Sequence, residues 1–190
     1  MKVVLASKSP RRRELLGEIT TDFDIITAEC DEELPPDVHP RDGVRILAER
    51  KGGAVVADLS PDTLIISSDT LVELDGLALG KPRDEGDAIA MLRSLSGRGH
   101  NVHTGVAVHY KGRVYSGTDT TKVVFRELSD SEIAEYVATG EPMDKAGSYG
   151  IQGLGGRLVE SYEGDFDTVV GLSVKLTKKL IEVATSYDKE

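Results

Sequence analysis

The sequence predicts an α/β fold built on a mixed sheet, and three observations carry that prediction. Short apolar runs of strand type interleave with longer segments whose apolar residues recur at helical spacing. Two junctions between extended runs, Asp75-Gly76 and Lys111-Gly112, look like tight turns, so part of the sheet is antiparallel. Helix-start chemistry stands where the periodicity changes, at Ser9-Pro10 and at Ser129-Asp130-Ser131-Glu132.

Taken in order, residues 3–6 form a short apolar strand that feeds a helix over residues 10–17, capped by Ser9 with Pro10 at its first position. Residues 23–28 alternate as a second strand and lead into an acidic stretch, Glu29 to Glu33, before Pro35-Pro36 breaks the chain. A longer helix covers residues 40–57, with Val44, Leu47 and Ala48 on one stripe; the next position of that stripe is Lys51. Residues 64–66 are a buried-type strand ending at Ser67-Ser68-Asp69-Thr70, and residues 71–79 form a hairpin around Asp75-Gly76. A helix follows over residues 84–95, with Gly97 just beyond its end. Residues 101–108 and 114–125 pair around Lys111-Gly112, and the capping box at Ser129 opens a helix that stops at Gly140. Residues 147–156 form a glycine-rich loop; two short strands and a helix over residues 173–186 complete the reading.

Composition limits the function. The chain has 190 residues, 39% hydrophobic and 29% charged, with no repeat or long linker, and reads as one soluble domain over residues 1–190. Its net charge is −10, from 33 acids against 23 bases, which argues against a general nucleic-acid binder. A small polyanion held in a local basic pocket is compatible with it, and the tightest basic cluster is Arg11-Arg12-Arg13. Cys30 is the only cysteine, and the apolar N-terminal run is too short for a signal peptide or a membrane span; both point to the cytoplasm.

Five segments carry candidate chemistry. A strand entering a helix N-terminus offers free amides and a positive dipole end to a phosphate, and Ser7, Ser9 and the arginines add donors. Successive arginines on a helix point about 100° apart, so at most two of the three meet one ligand. Asp69-Thr70 stands where a strand ends, a place where α/β sheets gather ligands, and its carboxylate suits metal or base work. Lys81, within Gly80-Lys81-Pro82-Arg83, and Lys51, on an inward stripe, are cations in want of an anion. Asp31-Glu32-Glu33 offers hard oxygen ligands of the kind Mg²⁺ takes. The run from Asp144 to Gly153 permits close backbone approach, and its Gln152 amide can read a base edge. Each of these alone has a plainer reading: a capped helix, a turn aspartate, loop or snorkelling lysines, a solvated acidic loop, a flexible glycine loop.

Together and in order, these segments resemble the Maf family of nucleoside triphosphate pyrophosphatases. The shared residues are Ala6-Ser7-Lys8-Ser9-Pro10-Arg11-Arg12 with Glu14-Leu15-Leu16, then Asp31-Glu32, Lys51, Ser68-Asp69-Thr70, Gly80-Lys81-Pro82, Leu95-Ser96-Gly97, and Asp144-Lys145-Ala146-Gly147 through Gln152-Gly153. The resemblance implies an inosine-triphosphatase-like fold, a curved mixed sheet flanked by helices with a central cleft, as a homodimer. It implies that Asp69 is the catalytic carboxylate and a metal ligand beside Glu32, with Mg²⁺ or Mn²⁺ as cofactor. Lys51 and Lys81 join Asp69 in catalysis, and Ser7 and Arg12 match phosphate-contacting positions. Arg12, Thr70 and Gln152 match the positions that track base choice, in the combination of the branch acting on dTTP and UTP. The alternatives left open are modified pyrimidine triphosphates, another base such as that of 7-methyl-GTP, and a non-catalytic regulator of division that senses nucleotides.

Overall fold

The computed structural model describes residues 1–186. Local chemistry starts each major helix. α1 (Pro10–Gly17) opens where the Ser9 hydroxyl accepts from the Arg12 amide, and α2 (Pro40–Val56) opens on His39, whose ring accepts from the Arg41 amide. Asp84 caps α3 (Glu85–Leu95), and Ser129 and Glu132 close a full capping box on α4 (Asp130–Ala138). A short α5 (Phe166–Val170) precedes α6 (Val174–Thr185), which Ser173 caps.

Among the described residues seven strands form one sheet: β1 (Val3–Leu5), β2 (Asp24–Ile25), β3 (Leu64–Leu74), β4 (Leu77–Leu79), β5 (Gly99–Tyr110), β6 (Arg113–Phe125) and β7 (Val159–Glu163). Their order is β2-β1-β3-β5-β6-β7, with β4 also on β3. β1 runs parallel to β2 and β3, and all other pairs are antiparallel, so the sheet is mixed. Both tight hairpins form as expected: Asp75 and Gly76 take φ of 53° and 81°, Lys111 and Gly112 take 48° and 72°.

β3 organises the molecule. One edge pairs with β5 without interruption from Ile65↔His109 to Glu73↔Asn101. The other edge pairs with β1 only as far as Leu5↔Ile66, and with β4 only from Val72↔Leu79 onward. Between these two partners, beside residues 67–71, no strand lies alongside. The ends of β1 and β4 approach that gap from opposite directions, carrying Ser7 and Lys81 toward it.

Side-chain alternation along β3 then sorts the layers. On one face Leu64 and Ile66 join a core with Leu15, Leu16 and Leu180, while Val72 and Leu74 join a second core with Leu92, Leu95, Phe125 and Ile133. Ser68 and Thr70 lie between the two. On the opposite face Ile65 packs with Val4 and Val55 of α2. Two glycines seat α2 on this face: a Cβ at Gly105 would stand 2.2 Å from the Val44 carbonyl oxygen, and one at Gly52 would stand 2.5 Å from the His109 ring.

Several expectations are corrected. Asp69 lies in the middle of an eleven-residue strand, not at a strand end. The polar run resembles a turn, but the ladder to β5 continues through it, and the Ser67 and Ser68 hydroxyls donate to the carbonyls of Ala48 and Gly105. The second strand shrinks to two residues. A single strand, β7, and the short α5 replace the two strands expected after residue 156; Gly164 and Gly171, at φ of 129° and 130°, bracket that turn of helix. The glycine-rich stretch is a succession of 3-10 turns, Ala146–Ser148 and Leu154–Leu158. Among the described residues no helix is long and apolar enough to cross a membrane.

Candidate active site

The gap beside β3 opens into a cleft of about 1290 Å³ that takes in the strand-to-helix turn at Ser7, the acidic segment, Lys51, Asp69, Thr70, Lys81 and Gln152. Ser7, Arg12, Glu32, Lys51, Asp69, Thr70, Lys81 and Gln152 all line this cavity; Asp31, Glu33 and Arg13, also singled out by the sequence, do not. Asp69 and Thr70 are neighbours in a strand and point to opposite faces of the sheet, so the gap gives one ligand access to both.

On the α2 face, the Lys51 ammonium lies 2.5 Å from an Asp69 oxygen and 3.0 Å from Glu32. Burial favours the neutral amine, but Asp69 and Glu32 outweigh it and raise the Lys51 pKa, so the side chain is a cation at neutral pH. The inward-facing lysine thus has its anions. Of Asp31, Glu32 and Glu33, Glu32 is the one that lines the cleft and pairs with Lys51. The backbone carbonyls of Asp31 and Glu33 instead hold the Arg50 guanidinium, at 3.2 and 2.7 Å.

On the other face, Arg12 is fixed at three points. Its Nε donates to the Gly171 carbonyl at 2.8 Å, one terminal nitrogen to the Thr70 hydroxyl at 3.3 Å and the other to Ser7 at 3.5 Å. Burial lowers its pKa from the ordinary arginine value and Asp69 pulls the other way; the guanidinium stays charged. Arg11 also lines the cleft, whereas Arg13 lines a separate shallow depression, in keeping with the helical limit of two. Lys81 is exposed at the far rim, on a segment tied down by the Gly147 amide donating to the Gly80 carbonyl. Gln152 is exposed in the turn between the two 3-10 segments.

Three contributions lie outside the sequence reading. Gly171 supplies a carbonyl that holds both Arg12 and Ser68. Thr104, opposite Thr70 on β5, bonds it at 2.9 Å. Glu141 pins the turn after Gln152, accepting from the amides of Leu154 and Gly155 and from the Tyr136 hydroxyl. Burial raises the Glu141 carboxyl, but these donors outweigh it and leave its pKa lowered. An acidic residue shortly before the glycine-rich run was the one signal in the sequence that could have pointed to Glu141; the other two sit in no motif.

The donor set suits a divalent ion of the Mg²⁺ kind. Two carboxylates, Asp69 and Glu32, converge on a single cationic point, the Lys51 ammonium, in a cleft also lined by Arg12 and Lys81. Among the described residues no cluster of three or more His, Cys, Asp or Glu side chains could hold a metal alone. Such an ion would draw its remaining ligands from water and substrate oxygens, as Mg²⁺ commonly does.

A helix N-terminus, two arginines, two lysines and a carboxylate pair line one sheet gap, an arrangement suited to a polyanion. Residues 2–184 match the family described as Maf-like protein, and the chain belongs to that family. It is 46% identical over 181 residues to a protein of Bacillus velezensis named dTTP/UTP pyrophosphatase, with 95% of each chain covered. It is 46% identical to the like-named protein of Aquifex aeolicus, with 96% of each covered, and 45% identical to that of Thermococcus kodakarensis. Among solved structures, a nucleoside-triphosphatase/dITP/XTP pyrophosphatase from Mycobacterium abscessus aligns over 100% of this chain and 97% of its own, at a TM-score of 0.45 and 14% identity, too distant to bear on function.

Proposed function

We propose that the chain hydrolyses dTTP and UTP to the nucleoside monophosphate and pyrophosphate. The observation that carries this reading is the gap beside β3, which sets the Lys51–Asp69–Glu32 cluster and the Arg12–Thr70 pair on either side of one opening. Relatives named for this activity cover nearly the whole chain and support the choice of substrate.

In the proposed reaction a water oxygen attacks the α phosphorus in line. The bond from that phosphorus to the α–β bridging oxygen breaks, and pyrophosphate leaves with the electron pair. Asp69 orients the water and takes its proton. Lys51, Lys81 and Arg12 neutralise charge on the phosphate chain, and Ser7 and the amides at the start of α1 hold its oxygens. Asp69 and Glu32 would hold Mg²⁺ or Mn²⁺, whose chemistry when bound is to polarise phosphate oxygens and offset their charge. Thr70 and Gln152 face the base. The reading includes a homodimer, which light scattering of the purified chain would test.

Incubation with dTTP, UTP, CTP and 7-methyl-GTP in ¹⁸O-water with Mg²⁺ tests the reaction. Expected are pyrophosphate from dTTP and UTP, and label on the monophosphate. Label on pyrophosphate, or release of inorganic phosphate, would place the attack elsewhere. Tight binding of nucleotide without turnover would favour a sensor instead.

A further inference from the structure

We propose that Thr104, a fully buried threonine of β5, is a positioning residue that determines which base edge the cleft accepts by fixing the direction of the Thr70 hydroxyl. This inference rests on the reading that Thr70 meets the base.

A threonine hydroxyl has one proton to donate. The Thr104 oxygen lies 2.7 Å from the Thr168 carbonyl, which can only accept, so that proton is committed there. The Thr70 and Thr104 oxygens are 2.9 Å apart, and with the Thr104 proton engaged, Thr70 is the donor of that bond. Arg12 donates in turn to the Thr70 oxygen at 3.3 Å. The chain of bonds therefore runs one way: Arg12 to Thr70 to Thr104 to the Thr168 carbonyl. Thr168 is held in α5, and Thr104 pairs with Thr70 directly across the β3–β5 ladder, so rigid elements define both ends.

The consequence is a polarity. With its proton turned toward Thr104, Thr70 offers the cleft only a lone pair. Arg12 beside it offers only N–H donors, and the Gln152 amide can turn to offer either. Uracil and thymine present an acceptor, a donor and an acceptor at O2, N3–H and O4. Cytosine presents an acceptor at N3 and a donor at N4. A fixed acceptor flanked by donors complements the imide edge, and sets lone pair against lone pair at cytosine N3. Thr104 has no exposed surface and does not touch the nucleotide; it acts through Thr70.

Thr104→Val keeps the shape of the side chain and removes the hydroxyl, which frees Thr70 to rotate and donate. Steady-state kcat/KM for UTP and CTP, measured on wild type, Thr104→Val, Thr104→Ser and Thr70→Val, tests the proposal. The UTP to CTP ratio is expected to fall about tenfold or more in Thr104→Val and to be retained in Thr104→Ser. Thr104→Ala carries the same expectation if the valine variant does not fold. A Thr104 that only supports the sheet would lower both substrates equally; an unchanged ratio in Thr104→Val, with a changed one in Thr70→Val, would overturn the proposal and leave the base-contact reading standing. An unchanged ratio in Thr70→Val as well would overturn the reading on which it rests.

Discussion

A lysine ammonium held 2.5 Å from one carboxylate and 3.0 Å from another remains protonated although most of its side chain is out of water. The raised pKa of Lys51 means that this pairing contributes to stability at neutral pH and up to the ordinary lysine value, and that its alkaline loss comes as pH climbs through the raised one. Lys51→Met leaves Asp69 and Glu32 facing each other without a counter-charge. Its kcat/KM on dTTP is expected to drop by about 10²–10³-fold, the scale of losing one preorganised charge, while its circular dichroism stays native. His100 behaves in the opposite sense. Burial pushes its pKa down to about 4, and its ring bonds the Tyr149 hydroxyl at 2.8 Å. The unfolded chain binds a proton there first, so the contribution is full above pH 6.5 and lost as pH falls from 6.5 through about 4. At 1.36 kcal/mol per unit the loss is on the order of 3 kcal/mol. Melting curves taken between pH 7 and pH 4 should fall more steeply for wild type than for His100→Gln.

At the scale of elements, catalytic geometry depends on how closely α2 lies on β3 and β5. Gly105→Ala would drive a methyl group to 2.2 Å from the Val44 carbonyl oxygen, which is backbone and cannot turn aside. It is expected to cost about 1–3 kcal/mol in denaturant melts and to lower kcat by moving Lys51 off Asp69. The elements themselves were largely legible in the chain. Asp75-Gly76, Lys111-Gly112 and the caps at Ser9 and Ser129 act within a few residues, so sequence alone places them. Asp69 was legible as a site residue, yet not as a mid-strand one. Its run of hydroxyls mimics a turn, and only the partner strand, some forty residues on, holds it extended. Gly171 and Thr104 were not legible for the same reason: their partners Arg12 and Thr70 are distant in the chain and no local pattern marks them.

For the molecule as a whole, the cleft lies where two apolar cores fail to merge. Leu64 and Ile66 anchor one, Val72 and Leu74 the other, and the hydroxyls of Ser68 and Thr70 occupy the face between them. Ile151, next to Gln152, packs against both cores and ties that turn to them. Ile151→Ala is expected to raise KM for UTP more than it lowers kcat, because it loosens that turn and leaves Asp69 and Lys51 in place. A net charge of −10 leaves triphosphate recognition to local cations, and Arg11, Arg12, Lys51 and Lys81 all line the one cleft. In the proposed reaction this cleft is where the α phosphorus is attacked, with Asp69 handling the water. Pyrophosphate release from dTTP by Asp69→Asn, alongside its dTTP affinity, tests that most directly. Turnover is expected to fall by about 10²–10⁴-fold with binding retained. Full turnover with intact binding would contradict it.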